Sequence, residues 1–292
     1  MSFSKEAFEN IRSIQIKATR NVNDLFGGIY RSVFKGRGLE FEDVREYQQG
    51  DEMRSIDWNV TARMQKPYVK RYKEERELTV MLIVDISASA RFGHASRLKS
   101  ELIAEIGALL AFSAIKNQDK VGLLLFSDDI ELFLKPKKGT RHVVRVIREL
   151  LFFQPKHSGT NLQKALVFLG KVQKQKSICF LISDFMTDRF EYELQLTAQR
   201  HETIAIQIYD DYERQLPELG LIKLRDLETQ TYVYVDTSNA YHQNLYQESA
   251  NQNQQILRKM MNRTGVDLIS IQTKESYLKK LQHFFRKRGP KH

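Results

Sequence analysis

The chain's 292 residues are enough to bury a full hydrophobic core, as one large domain or one domain with a substantial appendage. Its single cysteine, Cys179, lies in the apolar run 178–182, which excludes an intrachain disulfide and reads as core filling in a reducing compartment. Its 46 basic and 36 acidic side chains leave a charge of +10, with seven Lys or Arg against one Glu in each of residues 135–156 and 271–292. Neither patch carries the interleaved aromatics of a base-stacking platform, so nucleic acid is not the expected partner. No signal-type segment opens the chain, and nowhere do about 18 uncharged apolar residues run together. A soluble cytoplasmic protein is expected, with peripheral attachment to a membrane left open.

In chain order, Phe8, Ile11, Ile14 and Ala18 recur at helical spacing and predict a short amphipathic helix over 4–19, followed by a Gly27-Gly28 link. Residues 34–72 mix glycine, charge and aromatics without one period, which suggests turns and short strands. At Leu78 the pattern changes. Residues 78–84 are an apolar, β-branched run ending in Asp85, as expected of a strand covered on both faces. A helix over 98–115 follows, with Leu102, Ile106, Leu109, Leu110 and Ser113 facing the sheet. Residues 121–126 form a strand, and Ser127-Asp128-Asp129 turns the chain into an antiparallel edge strand at 130–134, ending near Pro136. Helices at 139–152 and 161–172, a strand at 178–182, a helix at 190–200 and a strand at 203–209 come next. A small irregular insertion with short strands over 215–235, a polar helix at 245–261, a strand at 266–271 and a helix at 277–285 complete the chain. The alternation predicts an α/β doubly wound sheet at 78–292, with 1–77 as an N-terminal helix and extension packed on it.

Chemistry concentrates where the first core strand ends. In Asp85-Ile86-Ser87-Ala88-Ser89, alternate residues of a tight loop can aim one carboxylate and two hydroxyls at one point. Thr160, before a helix, and Asp184, after the next core strand, should reach the same crevice. Two carboxylates with hydroxyls suit a hard divalent cation, magnesium first, with manganese or calcium as alternatives, and not zinc. The competing use of the pentad alone is local, with Asp85 capping the next segment and the serines satisfying loop amides.

The pattern Asp85, Ser87, Ser89, Thr160 and Asp184 resembles the metal-ion-dependent adhesion site of von Willebrand factor A domains. That likeness implies a mostly parallel sheet with one antiparallel edge strand, and an ion with an open position for a partner's acidic side chain. More specifically, the chain resembles the bacterial domain-of-unknown-function 58 (DUF58) family. The matching residues are Gly36 to Phe41, Arg45-Glu46-Tyr47, Gly50-Asp51, Arg54 to Trp58, Thr61-Ala62-Arg63 and Tyr68-Val69-Lys70, with the metal pentad. This implies work beside a MoxR-type AAA+ ATPase in assembly, maturation or cofactor insertion of other complexes, with a membrane-associated client left open.

Two other functions were weighed. A metal-dependent phosphoesterase would need a second carboxylate where Ser87 stands, a lysine for the phosphate, or a histidine paired with a nucleophile, and the sequence assigns none; His94, His142, His157 and His201 are scattered. Nucleic-acid binding would rest on Lys137, Lys138, Arg141, Arg145 and Arg148, of which 137, 141, 145 and 148 would share one helical face. No G-x-x-x-x-G-K-[S/T] segment is present, so ATP hydrolysis is expected in a partner and no catalytic residue is assigned. In the extension, Arg54 and Arg63 are expected to pair with Asp51, Asp57 or nearby glutamates around Trp58.

Overall fold

Strand β3 (Thr79–Asp85) is buried along its whole length, as a run with no charge before its last residue must be. It lies in a computed structural model that describes residues 13–14, 16–22, 38–75, 77–94, 97–227 and 231–288. On one side β3 pairs in parallel with β6 (Lys120–Phe126), on the other with β8 (Ile178–Ser183). The sheet grows outward through β9 (Glu202–Tyr209) to β12 (Asp267–Gln272), both parallel. At the opposite edge β7 (Ile130–Lys137) runs antiparallel to β6. The order β12-β9-β8-β3-β6-β7 is a doubly wound sheet with one antiparallel edge, the von Willebrand factor A-like architecture that the resemblance implies.

Alternation along the strands divides the core into two layers. Met81, Ile83, Leu124, Cys179 and Leu181 point to one face, where α4 (Leu162–Val172), α5 (Glu191–Arg200) and α6 (Ala240–Thr264) bring Leu166, Leu169, Leu194 and Met261. On the other face the Phe180 ring meets Phe285 of α7 (Tyr277–Arg288) edge-on at 6.4 Å. The apolar stripe of α2 (Lys99–Lys116) is buried, and α3 (Thr140–Phe152) lies against it at Gly107. A methyl group there would sit 2.7 Å from a Leu150 methyl carbon, so the close approach of these helices depends on the missing side chain.

Several boundaries differ from the expectations. The polar helix begins at Ala240 rather than 245, because Asn239 caps it by accepting from the Tyr241 amide at 2.9 Å. Lys137 ends strand β7 and α3 starts at Thr140, so Lys137 does not share a helical face with Arg141, Arg145 and Arg148. Near the chain's end Phe285 is buried, and Arg288 reaches Glu202 and Asp267 at 3.1 Å each. The short strands expected in the insertion are present and pair antiparallel, as β10 (Leu221–Arg225) and β11 (Tyr232–Asp236). Residues 13, 14 and 16–21 are helical, with Ala18 and Val22 buried and Lys17 3.9 Å from Glu105; residues 4–12 and 27–28 lie outside the described residues. Two-residue strands β4 (Gly93–His94) and β5 (Arg97–Leu98) pair ahead of α2.

The unit Phe34–Leu78 is more regular than its aperiodic sequence suggested. Strands β1 (Gly38–Glu46) and β2 (Tyr68–Glu75) form an antiparallel ribbon with a bulge between Phe41 and Asp43, and α1 (Trp58–Met64) sits in the connection. Its ion pairs also differ from those expected. Asp51 takes both guanidinium nitrogens of Arg45, at 2.7 and 2.8 Å, not Arg54 or Arg63. Asp57 caps α1 through the Asn59 and Val60 amides and faces Lys70 at 3.7 Å. Trp58 is 67% exposed. Among the described residues, no helix is long and apolar enough to cross a membrane.

Candidate metal centre

Asp85 is delivered to the carboxyl end of the sheet by the register that sets it opposite Phe126 on β6, and it is buried there. Its Oδ1 accepts from the Ser87 amide at 2.9 Å and its Oδ2 from the Ser183 hydroxyl at 2.7 Å. The chain then enters a 3-10 turn, Ala88–Arg91, and the Ser87 and Ser89 hydroxyls lie 3.0 Å apart. The pentad thus gathers one carboxylate and two hydroxyls on one small loop, and the local capping use of Asp85 coexists with that gathering.

The second segment is tied to the first through the backbone. The Ala88 amide donates to the Ser158 carbonyl and the Asn161 amide to the Ser127 carbonyl, each at 2.8 Å. Thr160 sits between these anchors, and its carbonyl accepts from the Thr187 hydroxyl at 3.2 Å. Asn161 caps α4 by accepting from the Lys164 amide. Glu131 on the edge strand holds the loop from behind. Its Oε1 accepts from the Ser127 hydroxyl at 2.8 Å, the Lys156 amide at 3.0 Å and the His157 amide at 3.1 Å. At Gly159 an added Cβ would fall 2.1 Å from a carboxylate oxygen of Asp128, so this loop can lie against Asp128 only because it lacks a side chain there.

Asp184 follows β8, one residue after the serine that donates to Asp85. Its Oδ1 accepts from the Met186 amide at 3.1 Å, and its Oδ2 from the Lys99 ammonium at 2.9 Å. Between these amides Phe185 adopts φ 59°, a left-handed conformation costly for a bulky side chain, and its amide donates to the Ser183 hydroxyl at 3.0 Å. The strained turn lets Ser183 and Asp184, adjacent in sequence, both serve the same end of the sheet. A cleft of about 400 Å³ opens beside Asp184, walled by Met186, Arg189, Tyr209, Arg214 and Leu257. In it the Arg214 guanidinium stacks on the Tyr209 ring at 3.5 Å.

Lys99 is the residue that motif reasoning missed. It is 1% exposed, and its ammonium also donates to Glu213 at 2.5 Å, from a 3-10 turn, Asp211–Glu213, that follows β9. Burial alone would lower this ammonium, but the charges of Asp184 and Glu213 outweigh it and hold Lys99 above its ordinary value. The available signal was positional: Lys99 is in helical register with Leu102, Ile106 and Leu110, a cation on a stripe otherwise given to the core. Ser183, Glu131 and Glu213 carried no motif and became visible only through their bonds.

The electrostatics are those of a site short of positive charge. Burial first, and then the neighbouring charge of Asp184, push the Asp85 carboxyl up to about 7. A hard divalent cation suits this donor set, two carboxylates supplemented by hydroxyls with no imidazole or thiolate. Among the described residues, no group of three or more His, Cys, Asp or Glu could hold a metal. The set of Asp85, Ser87, Ser89, Thr160 and Asp184 has two carboxylates and three hydroxyls, and so falls outside that class.

The groups considered for catalysis differ from the expectation at two places. His201 is not isolated: its Nδ1 lies 3.0 Å from the Ser177 hydroxyl, which is 3.5 Å from the Cys179 sulfur. All three are buried, Ser177 and Cys179 at the start of β8 and His201 just before β9, and burial pushes the Cys179 thiol up to about 12, so this is core filling without substrate access. A lysine does stand at the candidate centre, but Lys99 is enclosed and committed to two carboxylates. His142 bonds the Val121 carbonyl at 2.8 Å, and His157 is exposed on a recess that also borders Ala88, Asp128 and Ser158.

Comparisons with known proteins show the family. The family described as protein of unknown function DUF58 matches residues 43–256. An uncharacterized protein of Mycobacterium tuberculosis, Rv1480, is 26% identical over 284 residues, 96% of this chain and 89% of that protein. The uncharacterized protein YeaD of Bacillus subtilis is 26% identical over 107 residues, 37% of this chain and 25% of its own length. Among solved structures, the conserved hypothetical protein BatB from Bacteroides thetaiotaomicron is 14% identical with a TM-score of 0.49, covering 72% of this chain and 98% of that one. A von Willebrand factor type A structure from Catenulispora acidiphila is 12% identical with a TM-score of 0.42, covering 77% and 44%.

Proposed function

This chain belongs to the DUF58 family, and we propose that it is a metal-dependent protein-binding module that works with a MoxR-type AAA+ ATPase in the assembly or maturation of other complexes. The observation that carries the reading is the buried Asp85, bonded to Ser87 and Ser183 with Asp184 beside it, in a crevice of oxygen donors at the carboxyl end of the sheet. Asp85, Ser87, Ser89, Thr160 and Asp184 would hold magnesium, with manganese or calcium as substitutes. The ion would supply a coordination position for an acidic side chain of the partner. The cleft beside Asp184 supports the same use, since it gives a partner segment apolar and cationic surface next to that point.

A hydrolytic reading gains nothing specific. The Lys99 ammonium faces Asp184 and Glu213 rather than a cavity, and the Ser177–His201 pair is sealed in the core. ATP hydrolysis is assigned to the partner. The test is binding of the purified chain to a MoxR-type ATPase from the same organism by surface plasmon resonance, in magnesium and in chelator, with Asp85→Ala as control. Loss of binding in chelator and in the variant is expected; equal binding under all conditions would refute the proposal.

A further inference from the structure

We infer that Lys99 is a built-in counter-ion of the candidate metal centre, which competes with a divalent cation for Asp184 and so sets the affinity of the site. The inference rests on the metal reading above and deepens it. Three observations carry it. The ammonium lies 2.9 Å from Asp184 Oδ2, so the one Asp184 oxygen not bonded to the Met186 amide is already engaged by a positive charge. The group is enclosed, and its charge is therefore poorly screened at that distance. Lys99 also opens α2, where the positive end of the helix disfavours a cation, so the two carboxylates are what hold it in place.

Glu213 makes the arrangement adjustable. It bonds the same ammonium as Asp184 and so draws positive charge away from Asp184. Its turn leads directly into Arg214, on the wall of the cleft beside Asp184. A cation entering at Asp184 must share it with Lys99, and Glu213 is where Lys99 can lean. The consequences for the two residues have opposite sign. Removing the ammonium, as in Lys99→Met, leaves Asp184 to the metal and raises affinity. Removing the second carboxylate, as in Glu213→Gln, leaves Lys99 wholly to Asp184 and lowers it. Each change alters one full charge within bonding distance of a ligand or of its neighbour, so about a tenfold effect is expected in each direction. A purely structural Lys99 would lower affinity in both variants.

The experiment is Mn2+ titration of the full chain near neutral pH, followed by electron paramagnetic resonance of free ion and by calorimetry. Wild type, Asp85→Ala, Lys99→Met, Glu213→Gln and the double variant Lys99→Met/Glu213→Gln are compared. The double variant removes Lys99 together with Glu213, so that one carboxylate rather than two is left without its counter-ion, and it covers the case in which Lys99→Met fails to fold. Expected are Asp85-dependent binding in wild type, tighter binding in Lys99→Met and in the double variant, and weaker binding in Glu213→Gln. If wild type and Asp85→Ala bind Mn2+ equally, the metal reading fails and this inference with it. If binding depends on Asp85 but neither variant lacking Lys99 binds more tightly, the metal reading stands and the counter-ion role is overturned.

Discussion

Replacing Asp85 with asparagine keeps the side chain's shape while deleting its charge, and the structure implies that in the absence of metal the change stabilises the fold. Oδ1 can still accept from the Ser87 amide, and the Ser183 hydroxyl can turn to accept from the new amide where it now donates to Oδ2. What disappears is a buried charge facing Asp184. The carboxyl is pushed from an ordinary value of 3.8 to about 7. Between those values the folded chain keeps a proton that the unfolded chain has lost. Stability from this group is therefore complete below 3.8 and is lost as pH rises through 7. At roughly 1.4 kcal/mol per pH unit, the loss relative to a neutral side chain is about 1.5 kcal/mol at pH 5 and about 4 kcal/mol at pH 8. Urea unfolding in chelator should thus show the advantage of Asp85→Asn over wild type growing by roughly 2 to 3 kcal/mol between pH 5 and pH 8. Added magnesium should narrow it by stabilising wild type alone. A gap that does not change with pH would refute the claim that this carboxylate is buried against its charge.

Three further outcomes follow from the same contacts. Because Asp85 must lose its proton to bind a cation, Mn2+ affinity should rise with pH up to about 7 and then level, and titration at several pH values checks this. Glu131→Ala removes one oxygen that accepts three bonds, and should cost about 1 to 3 kcal/mol, since the site is half exposed. It should also speed hydrogen exchange at the Lys156 and His157 amides; unchanged exchange there would contradict the role given to Glu131. Phe285→Ala empties the place beside Phe180 and should cost about 3 to 5 kcal/mol by urea unfolding, which separates a core-anchoring α7 from a loosely attached tail.

The large sheet was legible because each of its strands announces its own environment. A run such as Thr79–Asp85 can exist only between two covering layers, and the charged, proline-bearing 130–137 stretch only at an edge. The ribbon of β1 and β2 was legible only as short strands, because charges on neighbouring positions of GLEFEDVRE and YVKRYKEE hide much of the two-residue alternation. Its ion pairs were misassigned for a related reason. Arg54 and Arg63 are near Asp51 and Asp57 in sequence, but antiparallel pairing and the turn at the end of β1 bring Arg45 and Lys70 there instead.

By itself, the sequence determined that an α/β sheet would form and that Asp85, Ser87 and Ser89 would lie at the end of its first core strand, because hydrophobic period and loop spacing are local properties. Only the tertiary structure decided which distant groups share that crevice. Ser183 donating to Asp85, Glu131 gathering the opposite loop and Lys99 drawn between Asp184 and Glu213 span as many as 114 positions of chain. Such pairings are chosen by strand order and by the need of buried charges for partners, and neither leaves a spacing that can be read along the chain.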